Sequence, residues 1–393
     1  MKYACTILLF MGIWIYSCNQ HKESYVCKPC NLACDDHIFT QAGTCPHCGM
    51  ELFPVSDLSL QAEHIQTGSG FFLLESKMGA ESRDIAIFYH KPQHFTPDSR
   101  IMMVIPGTGR SAESYRDAWV EESEAHDLLI LSPMYPERYY PFEAYHLGGI
   151  IENANFESQV EYVENTHFAI LNEDSLSFTF NPNPEEWIFR DIDRIFDAVK
   201  VALNLTQHNY DIFGHSAGGH ILHRMALFGH NTQAERIIAS NASSYTVPND
   251  SVDFPFGIKD APIDQQLLER AFRKKLILML GELDNENETS GVFLRSNSAD
   301  RQGLHRLARG KFFFEQAEQI AQELDVVFNW ELVIVPGVGH DHELMGNAAA
   351  EICMIIINNQ PCIPLHACME GHYKNDYQPC FFNPYIHCHC KPY

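Results

Sequence analysis

From Gly49 to Ile352 the chain contains no cysteine, although its 393 residues include 13. Seven of them lie at or before Cys48 and six at or after Cys353. This gap excludes a disulfide framework spread through the fold, and leaves the long centre to be held by an apolar core. Basic residues are scarce as well, 27 Lys and Arg against 51 Asp and Glu, for a formal charge of −24. Charge of that sign repels nucleic acid and anionic membrane surfaces, so neither is expected as a partner. Beyond the first 20 residues no apolar run approaches the roughly 20 residues of a membrane span. Internal repeats and low-complexity tracts are missing too. What remains, with 45% hydrophobic and 20% charged residues, is an ordinary globular composition with ample core.

The start, "MKYACTILLFMGIWIYSCNQ", sets Lys2 before an apolar run to Tyr16, followed by Ser17-Cys18. That run is too short to span a bilayer comfortably and has the build of a signal-peptide core. Its ending "IYSC", aliphatic at −3 and small at −1, resembles a bacterial lipobox. The resemblance implies a signal over residues 1–18, lipidation at Cys18, and a membrane-anchored protein of the bacterial cell envelope. The alternative is a plain cleaved signal in which Cys18 is incidental.

Residues 25–55, "YVCKPCNLACDDHIFTQAGTCPHCGMELFPV", carry the pairs Cys27-x-x-Cys30 and Cys45-x-x-Cys48. Four thiolates from two such turns can close a tetrahedron, the usual geometry of structural Zn²⁺. A zinc-ribbon-like module is therefore expected, with Cys34, His37, His47 and Met50 as further soft donors nearby. Two disulfides are the alternative, and no thioredoxin-like unit surrounds the pairs. The segment resembles the small heavy-metal-binding module found ahead of bacterial metal-efflux adaptor proteins. A linker-like stretch, "SDLSLQAEHIQTGSG", follows it. At the other end, residues 358–393 form a Cys-rich tail with five cysteines and little apolar periodicity. Disulfides, a second soft-metal site around His387 to Cys390, or disorder all remain open there.

Between these ends, from about residue 71 to 357, strand-like and helix-like segments alternate. "RIMMVIPG", "AHDLLILSP", "NYDIFGHS", "KKLILMLGELD" and "WELVIVPGVGH" are short apolar runs that close in turn signals. "EWIFRDIDRIFDAVKVAL" sets Trp187, Ile188, Ile192, Ile195, Phe196 and Val199 on one helical face. The pattern is α/β, with a mostly parallel sheet covered on both sides. Residues 135–185 fit it poorly, being rich in aromatics, Asn and Pro, and are expected to be inserted over the carboxyl edge of the sheet.

Gly214-His215-Ser216-Ala217-Gly218 follows one such strand and opens an amphipathic helix. A sharp strand-to-helix turn lifts a serine hydroxyl clear of the sheet, and glycines two residues either side let the backbones pass. A hydroxyl needs a base, and the base an orienting carboxylate. Asp284 follows the run "LILMLG", and His340 follows "LVIVPGVG", so nucleophile, acid and base occur in workable order. Glu282, Glu286 and Glu288 compete for the acid role, and His342 for the base. His215 is expected to pack beneath the turn. Oxyanion donors would be the N–H of Ala217 and, from the turn "VIPGTGRS", that of Thr108 or Gly109.

These features, with "PGTGRSAESYRDAW", "SNASSYTVP", "FPFG", "GELD", "QGLHRLARGKFFF" and "VPGVGHD", resemble the α/β-hydrolase superfamily over about residues 71 to 357. Within it they resemble secreted esterases and polyester-depolymerase-like enzymes. Many relatives have His-Gly where Pro106-Gly107 stands here. The resemblance implies a serine hydrolase acting on a small or polymeric ester, with no cofactor in catalysis. "QGLHRLARG" is expected to pack between acid and His, and Tyr245, Phe254, Tyr139, Tyr140 and Phe142 to line a pocket or lid. A competing reading is a metal-binding envelope lipoprotein whose hydrolase fold is only a scaffold.

Overall fold

The computed structural model describes residues 23–79 and 83–357. Cys18 and the tail 358–393 lie outside the described residues, with the expectations attached to them. The chain divides into two compact units, one running to Asp57 and one from Leu58 onward, residues 29–31 counting with the second.

The larger unit is built on eight strands: β1 (Gly68–Ser76), β2 (Arg83–Lys91), β3 (Ile101–Ile105), β4 (Leu129–Met134), β5 (Tyr210–His215), β6 (Ala234–Ser240), β7 (Lys275–Gly281) and β8 (Glu331–Val335). They lie in the order β1-β2-β4-β3-β5-β6-β7-β8. The β1–β2 and β2–β4 pairings are antiparallel. Every pairing from β4 to β8 is parallel. Parallel neighbours need long crossovers, and helices supply them. These are α1 (Ala112–Asp117), α2 (Val120–His126), α3 (Ile188–Leu203), α4 (Ala217–Phe228), α5 (Gln265–Phe272), α6 (Asn297–Gln302), α7 (Arg306–Glu323) and α8 (His342–Ile357).

Strand side chains alternate between faces, so a run that is apolar throughout is buried on both. Met102, Val104, Phe213, Ile238 and Met279 face one side, under Trp119 and, from α8, Met345 and Ala349. Met103, Ile212, Ile237, Leu278 and Leu280 face the other, against Phe196 of α3, Ile221 of α4 and Phe313 of α7. Each such side chain, fully buried, is worth about 1.5–3 kcal/mol. The six residues expected on one face of α3 and its entry are all buried in this second cluster. That helix stops at Asn204, whose left-handed backbone (φ 53°, ψ 42°) turns the chain out.

The stretch 135–185 forms no part of the main sheet. It contributes a helical turn at Phe142–Tyr145 and a three-stranded sheet. In that sheet Phe168–Leu171 lies between Val160–Tyr162 and Phe293–Arg295.

The smaller unit has three short antiparallel strands, with Tyr25–Cys27 between Ile38–Phe39 and Leu52–Pro54. A 3₁₀ turn at Ala33–Asp36 carries Cys34. A tight turn holds Cys45 to Gly49, the Gly49 N–H bonding the Cys45 carbonyl at 2.8 Å.

Candidate active site

β5 runs into α4 through Ser216, a non-glycine residue at φ 59°, ψ −112°. A backbone held in so sparsely populated a region costs about 1–3 kcal/mol and persists only where its surroundings fix it. Its N–H donates to the Ser240 carbonyl (2.9 Å), and its own carbonyl accepts the first helical bond from His220 N–H (3.0 Å). The flanking glycines are sterically required. A Cβ on Gly218 would stand 2.3 Å from the Ile105 carbonyl oxygen, and one on Gly219 equally close to that of Ser240. The tightest neighbours of Gly214 are the backbone atoms of Gly218 itself.

Asp284 follows β7 and is buried, and His340 follows β8. His340 Nδ1 lies 2.8 Å from Asp284 Oδ2. The same carboxylate receives Arg306 Nη1 on its other oxygen at 3.2 Å. The His340 ring packs 4.5 Å from that of His215, the residue before Ser216. Burial lowers the His340 pKa; the hydrogen bond to Asp284 opposes this and the Arg306 charge adds to it, with a net fall. The imidazole is therefore neutral near pH 7 and able to accept a proton. No hydrogen bond of the Ser216 side chain occurs among the described residues. Such contacts in unliganded sites often tighten only when a ligand is bound.

The competing residues have other work. Glu288 Oε2 accepts the backbone N–H of His340 (2.9 Å) and thereby fixes the loop that presents the imidazole. Burial pushes the Glu288 carboxyl up, but the N–H groups of His340, Ser290 and Thr289 outweigh it and bring it to about 2. Glu282 takes the N–H of Gly337 (2.8 Å), and Glu286 stands 3.7 Å from His305. His342 stacks on Tyr115 at 4.2 Å. His215 bonds the Ser240 hydroxyl (3.2 Å) beneath the turn.

A pocket of about 320 Å³ opens at Ser216, with Ala217, Thr108, His220 and Ser243 around the serine. Its walls come largely from the inserted stretch, through Phe142, His146, Phe156, Val160 and Ala169, together with Leu294. Thr108 and Ala217 are thus placed with Ser216, as an oxyanion site requires. Tyr245 and Phe254 are not pocket residues. Tyr245 is fully buried and stacks on Phe313 at 4.9 Å, while Phe254 packs against Phe178, Phe180 and Phe228. Tyr140 is turned toward Tyr135, and Tyr139 lies under the guanidinium of Arg83. Of the aromatics named from sequence, Phe142 alone lines the pocket.

Poly(aspartic acid) hydrolase-1 from Sphingomonas sp. KT-1 has a solved structure 32% identical to this chain, covering 73% of it and 99% of its own length, with a TM-score of 0.62. The chain belongs to the α/β-hydrolase superfamily of serine hydrolases. It is an enzyme, a hydrolase of that superfamily. A poly(3-hydroxybutyrate) depolymerase from Bordetella parapertussis, 23% identical over 79% of this chain and 96% of that one, shares the fold with a TM-score of 0.64. No family model and no curated protein matches the sequence.

Arg306 is the site residue that sequence reasoning missed in this hydrolase. It sits in "QGLHRLARG", read as packing between acid and His, and packing is half of its role. His305 caps α7 by accepting the Ala308 N–H (3.2 Å), which swings the next residue inward onto Asp284. The signal was a His-Arg step at a helix start, directly after the segment that carries the acid.

In the smaller unit the sulfurs of Cys27, Cys34, Cys45 and Cys48 lie within 4.8 Å of one another, a group that could hold a metal ion. Cys27 Sγ and Cys48 Sγ are 3.1 Å apart. This corrects the expected quartet: Cys34, not Cys30, is the fourth member. The 3₁₀ turn at Ala33–Asp36 buries Cys34, while Cys30 is only half-buried. None of these cysteines is in a disulfide.

Proposed function

We propose that this hydrolase cleaves carboxylic esters with Ser216 as nucleophile, His340 as base and Asp284 as the group that orients it. Ser216 Oγ attacks the carbonyl carbon while His340 Nε2 takes its proton. Asp284 holds the Nδ1–H tautomer, so that Nε2 is the free acceptor. The N–H groups of Ala217 and Thr108 bind the oxyanion that forms. Its collapse expels the alcohol, which leaves with the proton from His340. Water then attacks the acyl-enzyme by the same route, releasing the acid and restoring Ser216. The observation that carries this reading is the 2.8 Å pairing of His340 and Asp284 beside a strained, pocket-facing Ser216.

The substrate is proposed to be uncharged along its backbone, a short-chain or hydroxyalkanoate ester rather than a polyanion. The two relatives are named for poly(aspartic acid) and for poly(3-hydroxybutyrate). A chain of charge −24, with Glu137 and Glu157 exposed at the pocket, repels the first. The apolar walls at Phe142, Phe156 and Val160 suit the second. A fluorophosphonate probe should label the protein and fail to label Ser216→Ala, and p-nitrophenyl butyrate should be hydrolysed. Turnover of poly(aspartic acid) ahead of neutral esters would overturn the substrate class.

We also propose that Cys27, Cys34, Cys45 and Cys48 hold a structural Zn²⁺. Thiolates about 2.3 Å from a central ion stand about 3.8 Å apart, which a cluster within 4.8 Å meets after small adjustments. Such a closed ion contributes folding energy and no open position for substrate. The lipobox-like "IYSC" supports an anchor at Cys18 and a place in the bacterial cell envelope.

A further inference from the structure

Six arginines of the described residues are buried. Four meet carboxylates: Arg116 with Asp117, Arg236 with Asp211, Arg306 with Asp284 and Arg309 with Asp300. The other two, Arg110 and Arg224, meet none among the described residues. Arg110 donates to the carbonyls of Thr108 (3.3 Å) and Tyr140 (3.2 Å), and lies over the Tyr145 ring at 3.6 Å. Arg224 donates to the carbonyls of His146 and His220, both at 3.0 Å, and to that of Pro255 at 3.4 Å. Carbonyl dipoles solvate a guanidinium only in part, and a buried charge without a counter-charge is expensive.

Both converge on one place. Arg110 Nη1 is 3.4 Å from His146 Nε2, and the His146 ring stands 5.6 Å from that of His220. Both imidazoles line the pocket beside Ser216, and His220 sits one turn beyond it on α4. His220 Nε2 accepts the Ser243 N–H at 3.0 Å, so the proton of the neutral ring is on Nδ1. His146 presents Nε2 to a guanidinium and likewise keeps its proton on Nδ1. Burial first, and then the neighbouring arginines, hold both rings neutral. His220 Nδ1, Arg110 Nε and Arg224 Nε are all buried without a hydrogen-bond partner. Spare donors and guanidiniums without a direct carboxylate contact thus collect at one wall, with exposed Glu137 acting on Arg110 only through space.

We propose that this wall is a carboxylate-binding subsite, with His146 and His220 donating to the ligand and Arg110 and Arg224 supplying the charge behind them. The inference rests on the ester reading and narrows it. The favoured substrate is a hydroxy-acid ester with a free carboxylate at its end, seated there while the adjacent ester bond lies at Ser216. Hydrolysis then adds one water, releases one hydroxy acid from the carboxyl end and leaves an oligomer shorter by one unit. The enzyme works on ends rather than within a polymer.

The test compares the 3-hydroxybutyrate dimer with its methyl ester on the full-length protein at pH 7, where the acid is ionised. The free acid should be favoured about tenfold or more in kcat/KM, mostly through KM, as a charge-assisted contact requires. Free 3-hydroxybutyrate should inhibit competitively, and its methyl ester much less, a measurement that needs no variant. In His220→Phe and His146→Phe, each checked for folding by its thermal melt, the preference should fall toward one. Equal turnover of acid and methyl ester, with Ser216 labelled, overturns the subsite and leaves the ester reading standing. An equal loss of kcat on both substrates in the variants assigns the histidines to the oxyanion and also overturns it. If neither ester is turned over and Ser216 is unlabelled, the ester reading fails and the subsite with it.

Discussion

The two units of the chain are stabilised by different materials. From Leu58 onward, buried Ile, Leu, Val, Phe and Met side chains fill both faces of an eight-stranded sheet. In the described part of the unit that ends at Asp57, the buried apolar side chains are Cys27, Cys34, Cys45 and Leu52. Three of those four are sulfur ligands of the proposed ion. A segment of that size buries too little surface to offset its chain entropy, and the proposed metal ion would supply what the core does not. Where the core is large, it can bear the cost of a strained serine, a buried Asp–Arg pair and unpaired guanidiniums. Where the core is sulfur, nothing is left over for chemistry.

The sharpest way to break this division is through the site itself. Ser216→Ala and His340→Ala should each lower kcat on a small ester by about 10⁴-fold or more. The double variant should be no worse than either, because the two residues act as one unit. Asp284→Asn should cost somewhat less. Stopped-flow or steady-state rates on p-nitrophenyl butyrate check this, with thermal melts to establish that each variant is folded. Near-normal activity in Ser216→Ala would move the chemistry elsewhere, and the thiolate unit would have to be reconsidered.

The second expectation is an asymmetry. Chelator, or Cys34→Ser or Cys45→Ser, should remove about one Zn²⁺-sized ion per chain, as loss of a thiolate requires. Amide exchange over residues 25–55 should then rise steeply, while kcat on a small ester changes by less than about twofold, since a closed site offers substrate no coordination position. Cys30→Ser should retain the ion, which separates the quartet in the structure from the one its sequence spacing favours. Reversible loss of hydrolysis on chelation, with Ser216 still reactive, would join what the comparison separates.

Legibility in the sequence follows the same division. The parallel sheet was readable because its strands are apolar on both faces, and the placement of Ser216, Asp284 and His340 because each stands just beyond such a strand. The fourth thiolate was not. Cys30 and Cys34 are both available to a sequence pattern, and the choice between them is made by a 3₁₀ turn that tucks Cys34 inward. Tyr245 misled for a related reason. It follows β6, where pockets often form, yet Gln302 of α6 holds its backbone at both ends and packs its ring into the core (2.9 and 2.7 Å). Arg110 and Arg224 carry no signal in the sequence, because only tertiary packing shows that their carboxylates are missing. Local rules reached the groups set by strand ends, and failed where partners from distant segments decide.

Arg306 offers the finest test, because it belongs to the large core and reaches the chemistry through Asp284. It does not touch substrate and is a positioning residue. Its cation faces the Asp284–His340 pair and, after burial, is among the influences that keep the imidazolium unfavourable. The base must be unprotonated to work, so activity falls as pH drops through its pKa. Removing the positive charge should raise that pKa, and the acid limb of kcat/KM should move to higher pH. Arg306→Met should show this shift with a few-fold loss on the plateau, since Asp284 loses one of its two anchors. Arg306→Lys keeps the charge without the paired guanidinium contacts to Asp284 and Val292, so the limb should stay near its original pH while part of the plateau loss remains. A purely structural Arg306 would lower the plateau in both variants and leave the limb in place, which is the outcome that would remove it from the catalytic chain.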